Sequence, residues 1–329
     1  MISIERLGVV LKNGVPVYGG DRVAKFNPGM WFDGKDVHML YRYGEIKKEY
    51  DENIESPYLV DDVRYARFTP DGKLIFDEEE KPAIARDTAY DSTGCQDPRI
   101  VYFEDYYYIF YCGWDIDTAE PGTSKPRPCI ARTKDFKSYE KLGYADISDK
   151  DHMIFPERIH GKIAFMHRVA PDIQIDYFDS FEEALNADYW NSYHEKCDTA
   201  TIMRPEFKFE ELKIGGGVPP IKTEKGWLLI YHGVEDVPGG PRWGVYHMGA
   251  ALLDLKDPGR FLCRLPYPLL SPEEPYEMVG DVNEVVFPVG GYVYEGNLYL
   301  SYGAADRCVA MCRMPLAELL DELEKYPVE

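Results

Sequence analysis

Five stretches of the chain repeat one order of apolar and polar positions. In each, a proline is followed by a short polar turn and then by an apolar or aromatic run that ends on a polar residue. The stretches are NPGMWFDGKDVHMLYRYGE (27–45), DPRIVYFEDYYYIFYCGWD (97–115), FPERIHGKIAFMHRVAP (155–171), VPPIKTEKGWLLIYHGVE (218–235) and FPVGGYVYEGNLYLSYGAAD (287–306). Strand-like runs joined by turns of this kind are typical of β-hairpins, so the pattern predicts five of them.

The hairpins recur at a nearly constant spacing, since their prolines are 70, 58, 63 and 69 residues apart. A second strand pair follows most of them, as in 63–76, 128–143 and 248–270. Four strands per repeat are the content of a propeller blade, whereas the strands of a β-sandwich would not recur in this unit, and helix-period segments are few. The sequence therefore predicts an all-β fold, a five-bladed β-propeller that forms a single domain over residues 1–329.

One helix is predicted at the end of the chain, over about 315–326. Pro315 suits a helix start, and four leucines share one face: Leu316, Leu319, Leu320 and Leu323. We expect this face to pack on the propeller rim or on a neighbouring subunit, which would make the protein a homo-oligomer.

Composition and charge narrow the class of protein. The chain is 45% hydrophobic with 26 tyrosines, so it can build a large core, and no run approaches the ~18 apolar residues of a membrane span. We expect a cytoplasmic protein without a membrane or nucleic-acid partner, because a net charge of −21 would repel phosphate backbones. The seven cysteines are scattered and the histidines lack metal-ligand spacing, which indicates reduced core thiols and no metal site.

Polar residues at equivalent ends of the inner strands of a propeller converge on its axis, although they are far apart in sequence. The residues expected there are Arg42 and Glu45, Asp97 and Arg99, Glu157 with His167 and Arg168, Lys213 with Tyr231 and His232, and Asp306. Acids and bases placed in this way would form a funnel-shaped polar pocket.

Asp97 is the clearest candidate for acid chemistry. Because Pro98 disfavours the helical region for its predecessor, we expect Asp97 in an extended backbone with a fixed side-chain direction. Beside a tyrosine-rich wall its carboxyl group would be partly desolvated, which suits a general acid. A structural role as an Asx turn that caps the hairpin, with Arg99 as a surface partner, is the alternative.

A second set of residues is basic and suits an oxyanion such as phosphate. Lys150 and Arg168 flank one hairpin, and Lys213 precedes three glycines whose backbone amides can approach a ligand closely. Solvated surface lysines and a simple tight turn are the alternative interpretation. Glu45 and Glu157 are further carboxylates that either act as bases or pair with neighbouring arginines.

These motifs resemble glycoside hydrolase family 130, the five-bladed propeller family of β-mannoside phosphorylases and related β-mannosidases. The resemblance runs through 94–112, 150–168, 213–234, 248–277 and 280–306, which cover most of the chain in the expected order. It implies that Asp97 is the proton donor to the glycosidic oxygen, and that Arg42 and Asp306 hold the mannosyl unit. It also implies that phosphate is bound by Lys150, Arg168 and Lys213, with His232 near the anion.

Three positions depart from the family pattern. Several phosphorylases have arginine-asparagine where this chain has Lys150-Asp151, and arginine where it has Glu157. The sequence thus leaves three hypotheses, of which the first is favoured. The first is an inverting β-mannoside phosphorylase that uses inorganic phosphate and no cofactor, because phosphate is already anionic and needs cations instead of a base. The second is an inverting β-mannosidase with Glu157 or another glutamate as base, and the third is a propeller that only binds glycans.

Overall fold

The computed structural model describes residues 2–11, 23–46, 58–116 and 124–328, and most of these residues lie in strands. In chain order the strands are β1 (Glu5–Leu11), β2 (Val23–Phe32), β3 (Val37–Ile46), β4 (Tyr58–Phe68), β5 (Leu74–Glu78), β6 (Gly94–Phe103), β7 (Tyr106–Ile116), β8 (Ser124–Thr133), β9 (Glu140–Tyr144), β10 (Lys150–Ile154), β11 (Ile163–Arg168), β12 (Ile173–Phe178), β13 (Thr201–Met203), β14 (Lys213–Gly216), β15 (Ile221–Lys222), β16 (Trp227–Glu235), β17 (Val245–Leu253), β18 (Phe261–Arg264), β19 (Val286–Tyr294), β20 (Asn297–Ala304) and β21 (Cys308–Pro315).

The described strands form five antiparallel sheets, which are the five blades of the predicted propeller. The first four blades follow one another along the chain: β2–β5, β6–β9, β10–β13, and β14 with β16–β18, where the short β15 also pairs with β16. Three of the inner hairpins turn through two consecutive residues of positive φ, at Glu104–Asp105, His160–Gly161 and Glu295–Gly296. Two such residues match the right-handed twist of the flanking strands, which explains why the repeats fold as hairpins.

The fifth blade joins the two ends of the described chain, a pairing that the sequence pattern did not predict. It contains β19, β20 and β21, and its outer strand is β1. β1 runs antiparallel to β21, with Glu5 opposite Arg313 and Leu11 opposite Val309. The ring is therefore closed by hydrogen bonds between strands from opposite ends of the sequence.

A buried apolar cluster lies between every pair of neighbouring blades. The alternation of side chains along each strand supplies both faces of a blade. In β7, for example, Phe110 belongs to the cluster against the third blade, and Tyr111 belongs to the cluster against the first. Among the described residues, the five larger clusters thus surround the axis, and a smaller one of Val285, Phe287 and Val289 lies at β19.

The short helices of the described residues are α1 (Phe181–Ala184), α2 (Ala187–Trp190), α3 (Cys197–Ala200), α4 (Pro275–Met278) and α5 (Leu316–Leu323). α5 confirms the predicted terminal helix, although it is shorter than expected. Its Leu319, Leu320 and Leu323 are buried in the cluster between the fourth and fifth blades. The leucine face is therefore covered by its own chain and is not available to a second subunit.

All seven cysteines are free thiols, and six of them are buried. No helix among the described residues has the length and apolarity to cross a bilayer.

Candidate active site

Three inner strands carry a β-bulge at the same level, and each bulge turns a polar residue toward the axis. The bulges lie between Phe26 and Gly29 in β2, between Gln96 and Arg99 in β6, and between Lys150 and Met153 in β10. The residues that they re-aim are Asn27, Asp97 and Asp151, with φ values of 48°, 53° and 60°. Bulges commonly re-aim a side chain next to an active site, and backbone strain is concentrated at such positions.

The expected extended backbone of Asp97 is wrong. Its φ of 53° is in the left-handed region, because the bulge outweighs the preference that Pro98 imposes. The inner strands also approach one another closely at this level. A Cβ atom at Gly29 would collide with the carbonyl group of Pro98 in the next blade. Only glycine permits that approach, which brings Asn27 beside Asp97.

Asp97 is 5% exposed and held from two sides. Asn27 Nδ2 donates a hydrogen bond of 2.8 Å to Asp97 Oδ1, and Arg42 Nη1 lies 3.7 Å from the same oxygen. Arg42 is itself fixed by a two-pronged pair with Asp61, at 2.7 and 2.8 Å. Gln96 joins the group by donating to Asp61. The Asp97 carboxyl group therefore has one fixed orientation, and a guanidinium group stands beside it.

Asp306 belongs to the same end of the propeller. Its pKa is raised to about 7, chiefly by burial, with Asp97 raising it further and Arg42 opposing the shift. Of the residues that the sequence assigned to the sugar, Arg42 and Asp306 are therefore electrostatically close to Asp97.

The basic residues Lys150 and Arg168 lie opposite each other across β10 and β11. One buried carboxylate, Asp149, fixes both backbones: the Lys150 amide donates to Oδ1 at 2.6 Å, and the Arg168 amide to Oδ2 at 3.0 Å. His167 Nδ1 bonds the same Oδ2 at 2.7 Å, and its Nε2 bonds Asp176 at 2.9 Å. Burial alone would lower the pKa of His167, but these two hydrogen-bonded carboxylates outweigh it and raise it to about 9.

Lys213 completes a group of three cations. Its pKa is lowered to about 8, first by burial and then by the nearby charges of Arg168 and Lys150. Lys213 Nζ lies 5.4 Å from the ring centre of Tyr246, and Lys150 Nζ lies 5.1 Å from that of Trp114. Among the residues that the structure describes, neither ammonium group pairs with a carboxylate. Two lysines that lack a carboxylate partner within the described ranges and stand beside a third cation suit an anionic ligand.

His232 lies beside these cations and is 1% exposed. Neither of its ring nitrogens has a hydrogen-bond partner among the described residues, and its Nε2 is 3.9 Å from Asp151 Oδ2. Burial lowers the pKa of His232 to about 3, so the imidazole is neutral at physiological pH. Its ring stacks against Tyr246 at 5.9 Å.

Arg99 is placed differently from the prediction that it binds substrate. It is 1% exposed, and its guanidinium group donates to the carbonyl oxygens of Asp97, Gly216 and Gly217 and to Asp151 Oδ1, at 2.7–3.0 Å. These partners belong to three blades. Arg99 therefore links blades at the axis and does not direct its donors toward a ligand.

The glycine run is also used for packing, and the expectation that its amides face a ligand is not met. The Gly217 amide donates to Ile230, and Gly215 pairs with His232 in the ladder between β14 and β16. A Cβ atom at Gly215 would lie 2.8 Å from Asp151 Oδ2 and from His232 Nε2. The absence of a side chain at Gly215 lets the side chains of Asp151 and His232 approach each other.

Two predicted site residues do not join the cluster. Glu157 follows the opposite end of β10 from Lys150, where its carboxylate bonds Lys222 Nζ at 2.6 and 2.7 Å with 45% of the side chain exposed. That end of the axis holds an apolar cavity of about 260 Å³, whose walls include Trp31, Phe32, Ile100, Pro156, Pro219 and Tyr292. Glu45 lies three residues beyond Arg42 in β3, so its side chain leaves the opposite face of the strand.

Sequence reasoning missed the residues that support the site: Asn27, Asp61, Gln96, Asp149 and Tyr246. Asn27 alone had a usable signal, because Asn27-Pro28 occupies the same place in its repeat as Asp97-Pro98. The described residues contain no group of three or more His, Cys, Asp or Glu side chains arranged to hold a metal ion.

A five-bladed propeller that gathers a fixed acid and three cations at one end of its axis has the arrangement expected of a catalytic site. The chain belongs to glycoside hydrolase family 130, because the family model described as beta-1,4-mannooligosaccharide phosphorylase matches residues 4–325.

Individual proteins support this membership. The chain is 32% identical over 303 residues to the 1,2-beta-oligomannan phosphorylase of Thermoanaerobacter sp. (strain X514), covering 91% of this chain and 92% of that protein. It is 35% identical over 295 residues to the beta-1,2-mannobiose phosphorylase of the same organism, covering 87% and 88%. Among solved structures, the beta-1,2-mannobiose phosphorylase of Listeria innocua in complex with beta-1,2-mannobiose superimposes with a TM-score of 0.78 at 27% identity. The superposition covers 98% of this chain and 100% of that one.

Proposed function

We propose that the protein is an inverting β-mannoside phosphorylase. Phosphate attacks the anomeric carbon of a terminal β-mannosyl unit, the glycosidic C–O bond breaks, and a proton passes to the leaving oxygen. The products are α-mannose 1-phosphate and a shortened acceptor. The observation that carries the proposal is the group of three cations, Lys150, Arg168 and Lys213, on the same side of the propeller as Asp97: Asp306 feels the charges of both Asp97 and Lys150, and Tyr246 feels those of both Asp97 and Arg168.

Asp97 supplies the proton in this scheme. Asn27 and Arg42 keep its carboxyl group in one direction, so the reacting geometry is fixed before the substrate arrives. Arg42 and Asp306 hold the mannosyl unit, and they flank Asp97 as this role requires. The cations hold the phosphate and offset its repulsion from the carboxylates.

Two observations favour phosphorolysis over hydrolysis by a Glu157 base. The Glu157 carboxylate pairs with Lys222 beyond the other end of the inner strand, so it is not available to activate a water molecule beside Asp97. The two relatives compared above are named for phosphorylases of β-1,2-linked mannosides, and the family description names a β-1,4 phosphorylase. A β-mannoside is the substrate class that these names share.

The test is to incubate the protein with mannobioses of each linkage, with and without phosphate, and to identify the products. We expect α-mannose 1-phosphate from at least one linkage and no turnover without phosphate. Release of free mannose in phosphate-free buffer would overturn the proposal in favour of a mannosidase.

Variants separate the remaining alternatives. In an enzyme, Asp97→Asn should abolish turnover. A protein that only binds glycans would show no turnover before or after the substitution, and its affinity for glycans would stay the same. Lys213→Ala should raise the KM for phosphate at least tenfold, whereas its matched control Lys222→Ala, which removes an exposed lysine from the other end of the axis, should not. Glu157→Gln should retain phosphorolysis, and its inactivity would restore the hydrolase hypothesis.

A further inference from the structure

A carboxylate lies inside the proposed anion site. Asp151 is 2% exposed and stands on the bulge of β10, directly after Lys150. Its Oδ2 atom is 3.3 Å from Arg168 Nε and 3.9 Å from His232 Nε2, two of the groups assigned to phosphate. A negative charge at this place weakens the binding of any anion unless it makes a favourable contact with that anion.

The two carboxylate oxygens of Asp151 have different surroundings. Oδ1 accepts a hydrogen bond of 3.0 Å from Arg99. Oδ2 accepts none from the described part of the chain, and the facing Arg168 Nε and both ring nitrogens of His232 have no hydrogen-bond partner either. One carboxylate oxygen that can accept a hydrogen bond and three buried nitrogens without a hydrogen-bond partner therefore lie close together beside the cations. Buried polar groups are rarely left unsatisfied, so this arrangement indicates a ligand that both accepts and donates.

Asp151 is ionised in these surroundings. Burial alone would raise the pKa of its carboxyl group, but the charges of Arg168 and Arg99 outweigh burial and hold it below the usual range. An ionised carboxylate can only accept hydrogen bonds. A ligand that contacts Oδ2 must therefore bring its own proton.

We propose that Asp151 makes the anion site selective for a protonated tetrahedral oxyanion, by accepting a hydrogen bond from the hydroxyl group of phosphate. This inference rests on the proposed function for the identity of the anion. Phosphate carries at least one proton at neutral pH, and so does arsenate. Sulfate and selenate carry none, so their oxygens can only repel Oδ2. A site built around a hydrogen bond rejects an analogue that lacks the donor.

The test is equilibrium binding by titration calorimetry at pH 7, which needs no turnover. The unaltered protein should bind phosphate and arsenate at least about tenfold more tightly than sulfate and selenate, the range expected for one hydrogen bond to a charged group. In Asp151→Asn the amide can donate to sulfate, so the phosphate-to-sulfate ratio should fall to within about threefold. The matched control Asp135→Asn, an exposed turn residue between β8 and β9, should keep the ratio of the unaltered protein.

The outcomes separate this inference from the proposed function. No binding of phosphate to the unaltered protein would refute the phosphorylase. Binding of phosphate and sulfate with equal affinity would refute the role of Asp151 alone, as would an unchanged ratio in a folded Asp151→Asn. If that variant does not fold, the four-anion comparison on the unaltered protein decides the question by itself.

Discussion

Replacing Arg99 by methionine should destabilise the whole propeller while leaving its surface unchanged. The side chain is 1% exposed and bonds three carbonyl oxygens and the Asp151 carboxylate. Methionine fills much of the same volume but leaves those acceptors without a donor. Breaking a buried ion pair from one side costs about 3–5 kcal/mol. That loss is a large part of the ~5–15 kcal/mol that stabilises a folded domain.

The assay is urea unfolding followed by both tryptophan fluorescence and circular dichroism. Arg132→Met is the control, because Arg132 in β8 pairs at 2.7 Å with the exposed Glu140 of the outer strand β9, and an ion pair at the surface contributes at most about 1 kcal/mol. The double variant Arg99→Met with Asp151→Asn should be more stable than the sum of the two single losses predicts, because it removes the unpaired charge. The reasoning fails if Arg99→Met costs no more than Arg132→Met.

Three further predictions concern the anion end of the axis. The Lys213 ammonium group has a pKa of about 8, so it loses its positive charge above pH 8. The KM for phosphate in initial-rate measurements should therefore rise above pH 8. Lys213→Arg should remove that rise, because the guanidinium group stays charged. The pKa of His167 is about 9 in the folded protein and ~6.5 in the unfolded chain. This difference adds about 3 kcal/mol to the free energy of unfolding below pH 6.5, and that contribution is lost as the pH rises through 9. His167→Asn should therefore be clearly less stable than the unaltered protein at pH 6, with a gap that narrows by pH 10 in urea unfolding; a gap independent of pH would contradict this. Gly215→Ala would place a methyl group 2.8 Å from Asp151 Oδ2 and displace that carboxylate. Calorimetry should then show that the affinity for phosphate falls at least tenfold. An unchanged affinity would show that the strands can separate at no cost.

The repeating part of the fold was predictable because the sequence signals of each hairpin lie close together in the chain. A proline, a turn and two apolar runs lie within about twenty residues, and the repeat places Asp97 and the cations at equivalent strand ends. β1 had no such signal, because its partner β21 lies about 300 residues away and a lone strand has no turn beside it. Propensity and spacing describe short-range relations, whereas the pairing of the termini depends on the closed ring.

Within the site, the sequence identified which residue types gather but not what each one contacts. Arg42 in β3 and Arg99 in β6 both lie near the axis, yet Arg99 donates to backbone carbonyls of the fourth blade and Arg42 faces Asp97. The backbone of Asp97 was mispredicted for a similar reason. A bulge is fixed by the register of the neighbouring strand, and that register overrode the local effect of Pro98.

The pairing of β1 with β21 has a consequence for how the polypeptide matures. During translation, β1 leaves the ribosome before the first four blades, but its partner register at Val309–Arg313 follows only after about 300 more residues have been added. β1 therefore stays unpaired in the nascent chain while the first four blades can already fold. Until the two ends meet, β21 offers an open edge to any extended segment nearby, including β1 of another nascent chain, so crowded polysomes favour strand exchange between copies.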